Sequence, residues 1–257
     1  MTLIYDIIGN TPDISGTAFV TLCLASFFTS VVSATFGLGG GVMMIALMAF
    51  FLPPLSIIPL HAVIQMSSNF SRALMMWRHI QFKWMAPFVF GSFIGALFGG
   101  QIVFAMPKYL LQGIIGIFVL YTLWGPAVKA LRPSRMAFIG IGSFASFVTM
   151  FVGATGPLVA PFVRAATDER RATVATLGAF MSWQHGVKIL TFGLLGFVFT
   201  PYTMLLLGMI LLGILGTWSG KAILTWMPEQ IFRKAFNVVL GLLAIRLLYS
   251  AVQLMDG

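Results

Sequence analysis

The chain is a succession of long apolar runs separated by short polar interruptions. Ten runs can be traced, at about 17–36, 40–52, 57–79, 84–104, 108–130, 136–151, 156–166, 172–197, 202–222 and 229–253. Most reach the roughly 20 residues that carry a helix across about 30 Å of hydrocarbon. The pattern predicts an all-α, polytopic transmembrane bundle, a single domain covering residues 1–257. The second and seventh runs are too short to cross. Each follows a glycine break, Gly37-Leu38-Gly39-Gly40-Gly41 in one case and Gly153-Ala154-Thr155-Gly156 in the other. A helix can be interrupted inside a membrane only where the freed backbone faces protein or a water-filled cavity.

Short, glycine-interrupted segments at matching places in two halves are a sequence pointer to a transporter's binding site. The halves do match. Met106-Pro107 and Met227-Pro228 are 121 residues apart, and at that offset Gly95 aligns with Gly216 and Gly99 with Gly220. Upstream, Arg72 and Lys188 are 116 apart, and Gly41 and Gly156 are 115 apart. GxxxG alone is common helix-packing grammar; its order with the breaks and the paired bases predicts an internal duplication, about 17–132 and 136–254. The first half holds an odd number of segments, so the second starts on the opposite side. The expectation is therefore two inverted repeats whose short or broken helices meet at mid-membrane. Whether 17–36 and 40–52 form a re-entrant hairpin or two crossings stays open at this level.

Charge fixes the orientation. Connections near 78–83, 129–135, 164–171 and 221–234 fall on one side and carry eleven Lys or Arg, while those of the other side carry only Lys108. By the positive-inside rule the rich side is cytoplasmic, with both termini outside. Arg246, near the outer end of the last run, is a minor exception. Asp6 and Asp13 precede any base, so the start lacks the positive flank of a cleavable signal peptide, and the first apolar run is expected to remain.

Composition narrows the class. Of 257 residues 59% are hydrophobic and 8% charged, against about 25% charged in soluble domains. The net charge of +9 sits in short clusters between apolar runs, which is topology signalling rather than a phosphate-binding stripe. Lipid is the expected environment, and nucleic acid is not an expected partner. Cys23 is alone, which excludes a disulfide within the chain and any cysteine-based metal cluster. His61, His79 and His185 show no metal-ligand spacing. Neither a metal nor a cofactor is expected, and an enzyme is not, because no nucleophile–base pair or HExxH occurs in the spans.

The polar residues within the runs are few. Gln65, Asn69 and Arg72 fall at i, i+4 and i+7, on one helix face, with Ser67 and Ser68 between. Met181, His185 and Lys188 repeat that spacing, with Gln184 alongside. Bases deep in a membrane generally line a pathway or pair with a counter-charge. Yet all six carboxylates, Asp6, Asp13, Asp168, Glu169, Glu229 and Asp256, lie in termini or connections. The missing counter-charge is then naturally the substrate. A half-helix starting inside the membrane also presents unpaired N–H groups and the positive end of its dipole. Gly39, Gly40 and Gly41 permit close backbone approach, Gly156 does so in the second half, and Thr155 can donate a hydroxyl. The candidate substrate-binding set is Gly39, Gly40, Gly41, Ser68, Asn69, Arg72, Thr155, Gly156, Gln184, His185 and Lys188. The residues by themselves point to a small anion.

The chain also resembles the TauE/SafE sulfite-exporter family of membrane transporters. The likeness rests on Phe36-Gly37-Leu38-Gly39-Gly40-Gly41, on Ser68-Asn69-Phe70-Ser71-Arg72, and on Gly153-Ala154-Thr155-Gly156-Pro157-Leu158-Val159-Ala160-Pro161. The twin helices ending in Met-Pro extend it over nearly the whole chain. One departure is that no proline follows the first triple glycine until Pro53, whereas the second break keeps Pro157 and Pro161. The resemblance implies export of sulfite, sulfoacetate or a similar organosulfonate from a bacterial cytoplasm, through the inner membrane and by alternating access. An ion-coupled importer of a related anion is the alternative, and a homo-oligomer is compatible with the pattern.

Overall fold

Glycine and proline set most of the helix ends. The computed structural model describes residues 11, 14–36, 39–104, 106–126, 128–130, 132–223 and 229–256. They form ten α-helices and no strand. Asp6, Asp13, Gly37, Leu38 and the Met227-Pro228 pair lie outside the described residues, as do the side chains of Lys221, Arg233 and Lys234. In order the helices are α1 (Gly16–Phe36), α2 (Gly40–Phe51), α3 (Pro54–Met75), α4 (Met85–Phe104), α5 (Lys108–Trp124), α6 (Arg135–Val152), α7 (Gly156–Ala165), α8 (Arg170–Leu194), α9 (Thr203–Ile223) and α10 (Glu229–Asp256).

These bounds follow the apolar runs closely, and the departures have local causes. α3 begins at Pro54, where a missing N–H costs nothing. It stops at Met75; the rest of that run forms a 3₁₀ turn, Trp77–His79, and a second, Phe82–Trp84, leads into α4. α5 ends at Trp124, six residues before its run does, because Gly125 precedes Pro126 and is extended at φ −67°, ψ 161°. Ser134 opens α6 by accepting the Ala137 N–H at 3.1 Å. The two breaks are positions only glycine holds easily: Gly39 stands at φ 97° before α2, and Gly153 at φ 74° after α6.

Two kinds of helix result. Segments within or around α1, α4, α6 and α9 are long and apolar enough to cross a membrane. Their outer faces carry exposed Phe28, Phe90, Phe98, Leu211 and Trp218, while Ser26, Thr29, Ser33, Ser92 and Thr217 are buried. That is the reverse of a water-soluble protein and suits a surrounding of lipid. α3 and α8 are as long but carry the polar residues, and they pack against each other.

The crossings recur between halves. α4 packs on α6 and α9 on α1, each through bare glycine. A Cβ at Gly95 would stand 1.9 Å from the Ser143 carbonyl oxygen, and one at Gly216 would stand 2.2 Å from that of Phe27. Gly99 meets Phe147 and Gly220 meets Val31 in the same way, both at 2.9 Å. α2 turns back along α1: Gly40 is pressed against Thr29 and Ser33, and Thr29 Oγ1 lies 3.5 Å from Met44 Sδ. The first pair is therefore a helical hairpin, and α6 with α7 forms the second contact of this type.

Candidate functional site

The tips of both hairpins come together. A Cβ on Gly41, in the first turn of α2, would lie 3.8 Å from the Ala154 Cβ of the second break. Around this junction is a cavity lined by Ser33, Gly39, Gly41, Val42, Gln65, Asn69, Arg72, Ala154, Thr155, Gly156, Pro157, Leu177, Met181 and His185. Its volume is about 40 Å³, room for a few waters at about 10–15 Å³ each. Neither α2 nor α7 has a side-chain cap at its N-terminus. At α7, however, Pro157 has no N–H and the Leu158 N–H donates to the Thr155 carbonyl at 3.0 Å, which leaves the Gly156 amide.

α3 supplies the base. Arg72 is buried; its Nη1 donates to the Ser33 carbonyl at 2.7 Å and its Nη2 to Asn69 Oδ1. Asn69 is itself held by its Nδ2 donating to the Gln65 carbonyl at 2.7 Å. Two donors of a five-donor guanidinium are thus fixed, and the buried Nε has no protein partner. α8 faces it with His185, whose buried Nδ1 is also unpaired. Leaving such a group unsatisfied costs about 1–3 kcal/mol, so both residues keep hydrogen-bonding capacity that the protein does not use. Thr155 donates its hydroxyl to Gln184 Oε1 at 2.7 Å, and Gln184 is anchored by donating to Ser146 Oγ at 3.1 Å.

The expected residues divide. Gly39, Gly41, Asn69, Arg72, Thr155, Gly156 and His185 line the cavity. Gln184 stands behind Thr155. Gly40 faces α1 instead, and Ser68 lies 3.3 Å from Thr217 Oγ1 on α9. Lys188 is fully buried outside the lining, its Nζ donating to Thr149 Oγ1 at 3.1 Å and to the Gly153 carbonyl at 2.5 Å. Its counter-charge here is the carbonyl end of α6, where a cation is favoured. Arg72 reaches the matching position of α1, though it takes the Ser33 carbonyl where Lys188 takes the Thr149 hydroxyl; Ser33 and Thr149 are 116 residues apart, as Arg72 and Lys188 are.

The expected set lacked several lining residues, Ser33, Gln65, Pro157, Leu177 and Met181 among them, and also a histidine. His61 is fully buried, its Nε2 lies 2.9 Å from the Gly41 carbonyl, and its ring meets that of His185 edge-on at 5.8 Å. A carbonyl can only accept, so Nε2 carries the proton. His61 thereby fixes the tip of α2. The signal was present: His61 is one turn before Gln65 on the face shared by Asn69 and Arg72.

A polytopic helical bundle with an apolar skin and a buried cationic cavity between broken helices has the form of a membrane transporter. The chain belongs to the sulfite exporter TauE/SafE family, whose profile matches residues 22–247. Members of that family are transporters rather than enzymes, and membership makes this a multi-pass membrane protein of the sulfur-anion exporter type. Neither the curated proteins nor the solved structures yield a match.

Proposed function

We propose that the chain exports a small sulfur oxyanion, sulfite or a short organosulfonate such as sulfoacetate, by alternating access through the cavity at Arg72. The carrying observation is that Arg72 and His185, each with a buried nitrogen left unpaired, line one small cavity where two uncapped helix N-termini meet. No carboxylate falls within the runs that build it, so an anion completes the charge. The oxygens of a sulfur oxyanion accept several N–H bonds at once.

In this reading the halves are inverted repeats, with hairpins α1–α2 and α6–α7 entering from opposite faces. The recurring glycine crossings and the common 116-residue spacing of the two base contacts support it. The basic connections face the cytoplasm of a bacterial inner membrane, and both termini face out. A cell held negative inside drives an anion outward by about 2.3 kcal/mol per charge per 100 mV. Export then needs no coupling ion, whereas import would climb that slope.

A thermal-shift panel on the purified protein tests the ligand class. Sulfite, sulfate, thiosulfate, taurine, sulfoacetate and isethionate are compared at equal ionic strength. A ligand at a hundred times its Kd stabilises by about 2.7 kcal/mol, so a cognate sulfur anion raises Tm well above the other salts. A panel in which no anion moves Tm sinks the assignment.

A further inference from the structure

A second, larger cavity of about 790 Å³ lies beside the first, under the connection between α7 and α8. Arg164 and Arg170 are among the residues that line it, and Asp168 and Glu169 line it as well. The two cavities share two wall residues, Pro157 from α7 and Leu177 from α8. Both are therefore in reach of either space, and Leu177 is buried between them.

The register of α8 makes one track of the two. Arg170 and Val174 face the larger space, Leu177 stands at the wall, Met181 and His185 face the smaller one, and Lys188 is sealed beyond. Those positions recur every three or four residues and so share a face. At 1.5 Å per residue, Leu177 is about 10 Å inward from Arg170 and Met181 about 6 Å further. Past His185 the path is closed by packing: Ile45, His61 and Lys188 are completely buried, and a Cβ at Gly153 would meet Ile45 Cδ1 at 2.1 Å. The path is thus blocked by a thick plug on one side, while on the other Leu177 and Pro157 are walls common to both cavities.

We propose that the larger cavity is the loading vestibule for the small oxyanion and that Leu177, against Pro157, is the gate between it and the Arg72 cavity. The assignment rests on the transport reading above. A leucine is suited to this place: it presents no hydrogen-bond partner that would hold a passing anion, and a change of rotamer moves its isobutyl group aside.

The test is thiol labelling of the full chain in detergent, which depends neither on sidedness nor on substrate. Cys23 is the only cysteine, so Cys23→Ala gives the background. Val174→Cys reports on the vestibule and Met181→Cys on the inner cavity, with 2-sulfonatoethyl methanethiosulfonate as the anionic reagent. Val174→Cys should label quickly. Met181→Cys should label about 10- to 1,000-fold more slowly, as for a site exposed only in a minor state, and Leu177→Ala should remove most of that difference. Pro157→Ala, which thins the same wall from α7, gives the second measurement if Leu177→Ala does not fold. Equal labelling of the two positions with Leu177 intact, or slow labelling of Met181→Cys that neither variant accelerates, overturns the gate. A gate that behaves as expected in a protein that binds no anion would leave it standing and remove the transport reading instead.

Discussion

Arg72 and Lys188 occupy corresponding places in the two halves, yet their surroundings give them different work. Each donates to the helix preceding the break in its own half, Arg72 to Ser33 and Lys188 to Thr149 and Gly153. An ammonium has three donors and a guanidinium five, so after these contacts the arginine keeps a buried Nε without a partner, beside Gly178 of α8. Lys188 is enclosed and ties down the end of α6 instead. The choice of arginine on the cavity side is therefore a matter of geometry as well as charge. Arg72→Lys should keep Tm closer to wild type than Arg72→Ala does, because lysine can still reach a carbonyl. It should nevertheless lose the anion. Charge-assisted hydrogen bonds are worth about 1.5–3 kcal/mol, so Kd for the cognate sulfur anion should rise about 10- to 100-fold in both variants. Calorimetric titration with Tm measured in parallel checks this, and near-native affinity in folded Arg72→Lys would place the arginine among purely structural residues.

At the scale of elements, the glycines of the first break separate packing from binding. A Cβ at Gly40 would stand 2.0 Å from the Thr29 carbonyl oxygen and 2.2 Å from Ser33 Oγ, so α2 would have to leave α1. Gly40→Ala should cost about 1–3 kcal/mol, as overpacking commonly does, and lower Tm. A Cβ at Gly41 would meet the flexible end of Gln65, Oε1 at 3.1 Å on the cavity wall, and otherwise only the Ala154 Cβ at 3.8 Å. Gly41→Ala should leave Tm nearly unchanged and weaken anion binding. Gly140→Ala, with nothing within 4 Å of the added carbon, should be neutral or stabilise by about 0.5–1 kcal/mol. Equal Tm losses at positions 40 and 140 would contradict the account of the hairpin. These elements were legible in the sequence because apolar length and glycine or proline ends are local properties. The part of the site that lies on one helix face was legible too, at Asn69 and Arg72. What was not legible is which polar groups find partners. Lys188 and Ser68 are consumed by Gly153 and Thr217, contacts set by how distant helices are registered. His61 has no metal-ligand spacing, and its only sign in the sequence is the helix face it shares with Gln65.

For the molecule as a whole, the distribution of polarity carries the function. The lipid-suited helices α1, α4, α6 and α9 cross one another through glycine and enclose the polar pair α3 and α8. Their interior holds fixed positive charge without an acid from the spans, and that arrangement favours an anion over a cation or a proton relay. The central claim is that a sulfur oxyanion leaves through the Arg72 cavity under the membrane potential. Its most direct measurement is efflux of sulfite and sulfoacetate from loaded proteoliposomes whose interior is held negative by a potassium gradient with valinomycin. The account predicts efflux from wild type that quickens as the imposed potential grows, and release from Arg72→Lys vesicles at the rate of protein-free liposomes. Efflux indifferent to voltage but steeply dependent on a proton or sodium gradient, or undiminished in Arg72→Lys, would contradict it.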